Sequence, residues 1–169
     1  MKIRNVTAED FARIAEIYNY YVAHTVVTFD EEPVTVQFMQ HKAETILHNY
    51  PYLVLEDDHG MLIGYAYGSQ FRAKPAYRFT VETTIYFDHS ATGKGYGTAL
   101  YTALLADLRD RGYKTALGVL GLPNEASARL HEKLGFVKTG QINNAGWKFE
   151  QWVDTGYWHL DLETFARNA

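Results

Sequence analysis

The stretch that most limits the fold runs from residue 79 to residue 108. Residues 79–87 are rich in Thr, Val, Ile and aromatics and read as a strand, and Gly93-Lys94-Gly95-Tyr96-Gly97 follows directly. Beyond the glycines, Leu100, Ala103, Leu104 and Leu108 recur at helical spacing, and Gly112 marks the stop. A strand, a glycine-rich bend and an amphipathic helix in that order call for an α/β protein. Alternating glycines let the backbone approach a ligand with no Cβ in the way. The unpaired N–H groups and the dipole of a helix start favour an anion, most often a phosphate. A plain flexible turn is the competing reading.

Two common phosphate motifs fit poorly. A P-loop needs Gly-Lys-Ser/Thr after four intervening residues, whereas Lys94 is followed by Gly95. The dinucleotide fingerprint sets its third glycine one residue later, early in a βαβ unit, with an acidic strand end downstream. This loop comes after several strands and lacks that companion. A cradle of another kind is favoured, and a diphosphate-bearing cofactor such as coenzyme A would suit it.

The rest of the chain supplies the layers. Lys2–Asn5 reads as a first strand, and Thr7 with Asp10 as a capping box ahead of a helix. Phe11, Ile14, Ala15, Tyr18, Tyr21 and Val22 are expected to form its buried stripe. A loop with Phe29 and three acidic residues leads to Pro33, expected to open a second helix that ends before Pro51. Tyr52–Glu56 and residues 61–67 read as a hairpin turning on Asp57-Asp58-His59-Gly60. Residues 115–120, 136–142 and 152–162 read as further strands, and 124–134 as a helix stopped by Gly135. No linker, repeat or low-complexity tract interrupts them, so residues 1–169 are expected to be one domain.

Composition removes whole classes. With no cysteine there is no disulfide framework, thiolate catalysis or Cys-ligated metal. The seven histidines are dispersed, and His131-Glu132 lacks the second His of a zinc helix, so no metal is expected. Sixteen basic against twenty acidic residues, scattered, argue against a nucleic-acid face. No apolar run approaches the roughly 20 residues of a spanning helix, and MKIRNVTAED has no signal-peptide h-region. A soluble cytoplasmic protein with no membrane partner is expected.

Two further places carry candidate chemistry. Asn124, Ser127 and His131, spaced i, i+3, i+7, share one helix face, while Ala126, Leu130 and Leu134 form an apolar stripe. Singly they read as an N-cap, a first-turn residue and a satisfied histidine; together they make a polar row. Glu82 sits among β-branched and aromatic residues where a carboxylate is disfavoured, on one face with Thr84 and Tyr86. A buried face would raise its pKa towards that of a useful general base, and a wet sheet edge would leave it ordinary.

Together these pieces resemble the GNAT superfamily of acetyl-CoA-dependent acyltransferases, and within it the phosphinothricin or methionine sulfoximine N-acetyltransferases. The likeness is carried by Val81-Glu82-Thr83-Thr84-Ile85-Tyr86-Phe87, by Gly93 through Tyr101, and by Gly121-Leu122-Pro123-Asn124-Glu125-Ala126-Ser127. His131-Glu132-Lys133-Leu134-Gly135-Phe136, Gly146-Trp147-Lys148-Phe149 and Trp152-Val153-Asp154 extend it over nearly the whole chain. Thr92 stands where the superfamily usually carries Arg or Gln.

The resemblance implies a mixed, twisted β-sheet flanked by helices and splayed beside the strand that ends at Phe87. Acetyl-CoA would lie in the splay against Ile85, Tyr86 and Phe87. Gly93, Lys94, Gly95, Tyr96, Gly97 and Thr98 would hold its pyrophosphate, and Asn124 and Ser127 would count among its other contacts. Glu82 would be the general base, with His131 where many members carry a Tyr acid. Phe29, Arg72, Lys74 and Tyr77 would line the pocket of a small amino-acid-like amine, and the family favours a homodimer. Trp147 and Trp152 suit such a contact, although core packing explains them equally well. Direct transfer in a ternary complex is expected, since no cysteine is available for an acyl-enzyme. The alternatives are another amine (an aminoglycoside, a polyamine or a protein N-terminus) or a domain that binds coenzyme A without turnover.

Overall fold

The computed structural model describes residues 1–91 and 94–165; Thr92 and Gly93, both singled out above, lie outside the described residues. In chain order the elements are β1 (Lys2–Asn5), α1 (Phe11–His24, entered through a 3-10 turn at Ala8–Asp10), α2 (Val36–Leu47), β2 (Tyr52–Glu56) and β3 (Leu62–Gln70). There follow a 3-10 turn at Pro75–Tyr77, β4 (Thr80–Phe87), α3 (Tyr96–Asp110), β5 (Thr115–Leu122), α4 (Glu125–Lys133), β6 (Val137–Lys148) and β7 (Gln151–Asp161). One mixed seven-stranded sheet, ordered β1-β2-β3-β4-β5-β7-β6, organises the described residues, as the resemblance implied. Every neighbouring pair is antiparallel except β4–β5. No helix among the described residues is long and apolar enough to cross a membrane.

Strand alternation sends side chains to two cores. From β2, Leu53 and Leu55 join α3 (Leu100, Leu104, Leu105, Leu108) on one face, while Tyr52 and Val54 meet α1 and α2 on the other. Each of those α3 leucines is fully buried, and burial of such a side chain stabilises by about 1.5–3 kcal/mol. Along α1 the buried stripe is Phe11, Ile14, Ala15, Ile17 and Val22. Tyr18 and Tyr21 are only half-buried because their hydroxyls reach outward, to Thr28 and Asp30 and to the Phe87 carbonyl.

Three boundaries differ from expectation. α2 starts at Val36, because the Asn19 amide bonds both Val34 main-chain groups (2.8 and 2.9 Å) and Thr35 caps the Phe38 N–H at 3.1 Å. β3 runs on to Gln70, paired with Val81. β6 reaches Lys148 through two irregularities and turns tightly at Phe149 and Glu150, both at positive φ. Of the apolar stripe expected on α4, Leu134 at its C-cap is buried in the core and Leu130 packs against the same cluster, whereas Ala126 is exposed; within the helix itself only His131 is buried.

Candidate active site

The parallel pairing of β4 and β5 is short. It runs from Thr80 beside Thr115 to Thr83 beside Gly118. Beyond it, residues 84–87 keep only β3 and residues 119–122 keep only β7, so one edge of each strand is left without a strand partner. Between the diverging strands lies a cavity of about 470 Å³.

Two helices begin at its rim. Gly95 is the N-cap of α3 at φ 76°, a left-handed conformation that favours glycine. The first helix-type bond there runs from the Ala99 N–H to the Gly95 carbonyl, so the N–H groups of residues 96–98 precede the ladder and have no intrahelical acceptor. α4 starts at Asn124, whose Oδ1 accepts the Ser127 N–H at 3.2 Å. The cavity thus meets two helix N-termini, both attractive to negative charge.

Glu82 projects from β4 into this space. No hydrogen bond or ion pair to its carboxylate is found among the described residues. Burial raises its pKa above the ordinary range, with Lys42 opposing the shift. A partly desolvated, unpaired carboxylate is a proton acceptor in waiting.

His131 is 3% exposed and lies over β5 at Gly118, where a Cβ would come within 2.4 Å of Nε2. Its Nδ1 is 2.8 Å from the Ser127 carbonyl, which only accepts, so Nδ1 carries a hydrogen. Nε2 is 2.9 Å from the Tyr101 hydroxyl. Both ring nitrogens are therefore engaged. Burial pushes its pKa down, against the Ser127 bond and Glu132, which push it up.

Of the residues singled out in the sequence, Glu82, Ile85, Tyr86, Phe87, Lys94, Gly95, Tyr96, Gly97, Thr98, Asn124, Ser127 and His131 all line this one cavity. Gly93 lies outside the described residues. Phe29, Arg72, Lys74 and Tyr77 are not part of that lining. Phe29 lies against Gly146, in a segment held by the buried Lys148, whose Nζ donates to the Thr28 carbonyl at 2.9 Å. Arg72 stacks on Phe71 and Tyr77, and Lys74 caps the 3-10 turn; Arg72, Lys74 and Arg78 form no ion pair among the described residues. Tyr21, Val27, Thr83, Val119 and Leu120 also line the cavity, and Tyr101 lies behind it. In the sequence Tyr21, Val27, Val119 and Leu120 carry no functional signal, and Thr83 and Tyr101 enter only as members of the stretches that carry the resemblance, with no role of their own.

Comparison with known proteins identifies the family of the chain. The acetyltransferase (GNAT) domain family matches residues 3–156. A phosphinothricin N-acetyltransferase of Streptomyces viridochromogenes is 40% identical over 163 residues, 96% of this chain and 88% of that protein. An L-methionine sulfoximine/L-methionine sulfone acetyltransferase of Salmonella typhimurium is 34% identical, covering 98% of this chain and 97% of its own. Among solved structures, a GNAT superfamily phosphinothricin acetyltransferase of Sinorhizobium meliloti in complex with AcCoA superposes with a TM-score of 0.92. It is 38% identical and matches 95% of this chain and 87% of its own.

Proposed function

From the premise that the chain belongs to the GNAT acetyltransferase family, we propose that it moves an acetyl group from acetyl-CoA to the primary amine of a small amino-acid-like substrate of the phosphinothricin or methionine sulfoximine class. The observation that carries this reading is the single cavity that joins two helix N-termini, the free edge of β4 and the unpaired Glu82 carboxylate.

The residues present fit the cofactor. Gly95 in its left-handed conformation and Gly97, which has no side chain, leave the start of α3 open to a diphosphate, and Lys94 adds a cation beside it. Ile85 and Phe87 turn their main-chain groups to the strand edge that β5 leaves free, the Phe87 carbonyl already accepting from the Tyr21 hydroxyl. Tyr86, whose main chain faces β3, lines the cavity beside them, and Asn124 and Ser127 close the opposite side. When bound, acetyl-CoA supplies the activated acyl group. The Ile85 main chain stabilises negative charge developing on the acyl oxygen.

Glu82 takes the proton from the acceptor amine, directly or through one water. An α-amine of pKa about 9–10 is mostly ammonium at pH 7, and freeing its lone pair costs roughly 3–4 kcal/mol. General-base assistance is typically worth about 10²–10⁴-fold. The thiolate leaving group, with a pKa near that of Cys at about 8.5, requires little acid help, so Glu82 carries more of the rate than His131. Outside the cavity lining, Arg72 and Lys74, without carboxylate partners, supply positive charge that draws in an anionic acceptor. The chain acts as one domain and as a cytoplasmic homodimer. Trp147, Trp152 and Ile142, each more than half exposed on the β6–β7 ribbon, support the second copy.

The test is thiol release from acetyl-CoA against a panel of amino acids that includes phosphinothricin, methionine sulfoximine and methionine sulfone. Turnover is expected on at least one of these three. Tight acetyl-CoA binding with no turnover on any amine would contradict it.

A further inference from the structure

Among the buried residues of α3, Tyr101 alone carries a polar group, and the mechanism above leaves it without a task. Its hydroxyl sits in the middle of a line of four contacts. The His131 Nδ1 meets the Ser127 carbonyl at 2.8 Å, and Nε2 meets Tyr101 Oη at 2.9 Å. Tyr101 Oη meets Thr83 Oγ1 at 2.6 Å, and Thr83 Oγ1 meets the Leu117 carbonyl at 3.1 Å. Both ends are carbonyl oxygens, which only accept. The line has four gaps, whereas a neutral imidazole, a phenol and a threonine own three hydrogens between them.

Where that deficit falls can change. With both hydroxyls pointing towards His131, the empty gap is the longest, between Thr83 and Leu117. A fourth proton at Nε2 reverses both hydroxyls, Tyr101 towards Thr83 and Thr83 towards Leu117, and every gap is filled. In neither arrangement is a buried donor without an acceptor, which is the usual cost of charging a group away from water.

We infer that Tyr101, with Thr83 behind it, is a positioning residue that lets His131, buried on the cavity wall, take up a proton without leaving any donor stranded. The proton comes from solvent and no bond to the acyl group is made. In the acetyltransferase reading, on which the catalytic half of this inference rests, the proton is taken up as negative charge builds on the departing thiolate and balances it, while both N–H bonds stay with Ser127 and Tyr101. The groups packed on His131 allow this. Its own helix presents Ser127 and Glu132; α3 presents Tyr101, β4 Thr83, β5 the bare Gly118 and β7 Trp158, with Phe136 against the ring. Glu132 is the one charged side chain among them, and its sign favours the imidazolium.

The test is a side-chain ¹⁵N NMR titration of His131 in the full, unliganded chain. In Tyr101→Phe the protonation midpoint is expected to fall by at least about one pH unit, a tenfold loss of proton affinity, because Nε2–H then faces a ring edge. Thr83→Val is expected to shift it the same way by less, and Thr83→Ser to restore it. The kcat for acetyl transfer follows the same order, while the acetyl-CoA KM holds in Tyr101→Phe. A midpoint unmoved in Tyr101→Phe, or in Thr83→Val if the former does not fold, overturns the inference. The titration needs no turnover, so it reads this inference separately from the acetyltransferase reading.

Discussion

The two walls of the cavity are made from different materials. One, from Ile85 and Phe87 of β4 and the start of α3, offers main-chain groups placed by a strand edge and a helix end. The other offers side chains: Glu82 in the sheet, and Asn124, Ser127 and His131 from the start and face of α4. The first depends on backbone shape and on glycine, and is indifferent to most side chains. The second depends on where distant segments bring particular functional groups. A wall of the first kind suits the part of a ligand that never varies, and a wall of the second kind suits the part by which relatives differ.

The comparison can be broken most severely at Glu82. Glu82→Gln keeps the shape and removes the base, so kcat/KM is expected to fall by about 10²–10⁴-fold with acetyl-CoA binding intact. Because burial raises this carboxyl, wild-type kcat/KM should drop on the acid side at a pH above the ordinary glutamate value, and the variant should lose that limb. A pH–rate profile unchanged across pH 6–9 would remove Glu82 from the role.

Next comes the main-chain wall. Gly95→Val places a β-branched residue at φ 76°, a strain of about 1–3 kcal/mol, and crowds the diphosphate, so the acetyl-CoA KM should rise roughly ten- to hundredfold with the amine KM unaffected. Normal cofactor saturation in a folded variant would contradict the cradle. A smaller effect belongs to the outer cations. The pair Arg72→Ala and Lys74→Ala should raise the amine KM about five- to tenfold, fading at high salt, and leave acetyl-CoA alone.

The smallest effect is on stability. The buried His131 has its pKa pushed below the unfolded value of about 6.5, so the unfolded chain binds more protons in the window just under that pH. Urea midpoints should therefore decline as pH falls through this window, and His131→Gln should flatten the decline. An equal decline in the variant would place its cause elsewhere.

The sequence made the first wall plain and the second only partly so. Glycines at fixed spacing after a β-branched strand report a backbone demand, and Gly95 shows that demand met at a positive φ. Glu82 stood out as a charge in an apolar strand, and it does enter the cavity. Phe29, Arg72, Lys74 and Tyr77 came from likeness alone, and this cavity does not gather them, because loops are set by long-range contacts such as Lys148 to Thr28. Tyr101 gave no signal of its own, since a tyrosine at a core helical position looks like packing until its hydroxyl is seen 2.9 Å from a histidine. The late start of α2 was hidden for a similar reason: Asn19, far upstream, holds Val34 extended.

The most direct measurement is a crystal structure of the chain soaked with acetyl-CoA. The account predicts the diphosphate on the main-chain N–H groups that open α3, and the thioester beside Ile85 within reach of a proton path to Glu82. A ligand bound elsewhere, or a Glu82 side chain turned out of the cavity, would contradict it.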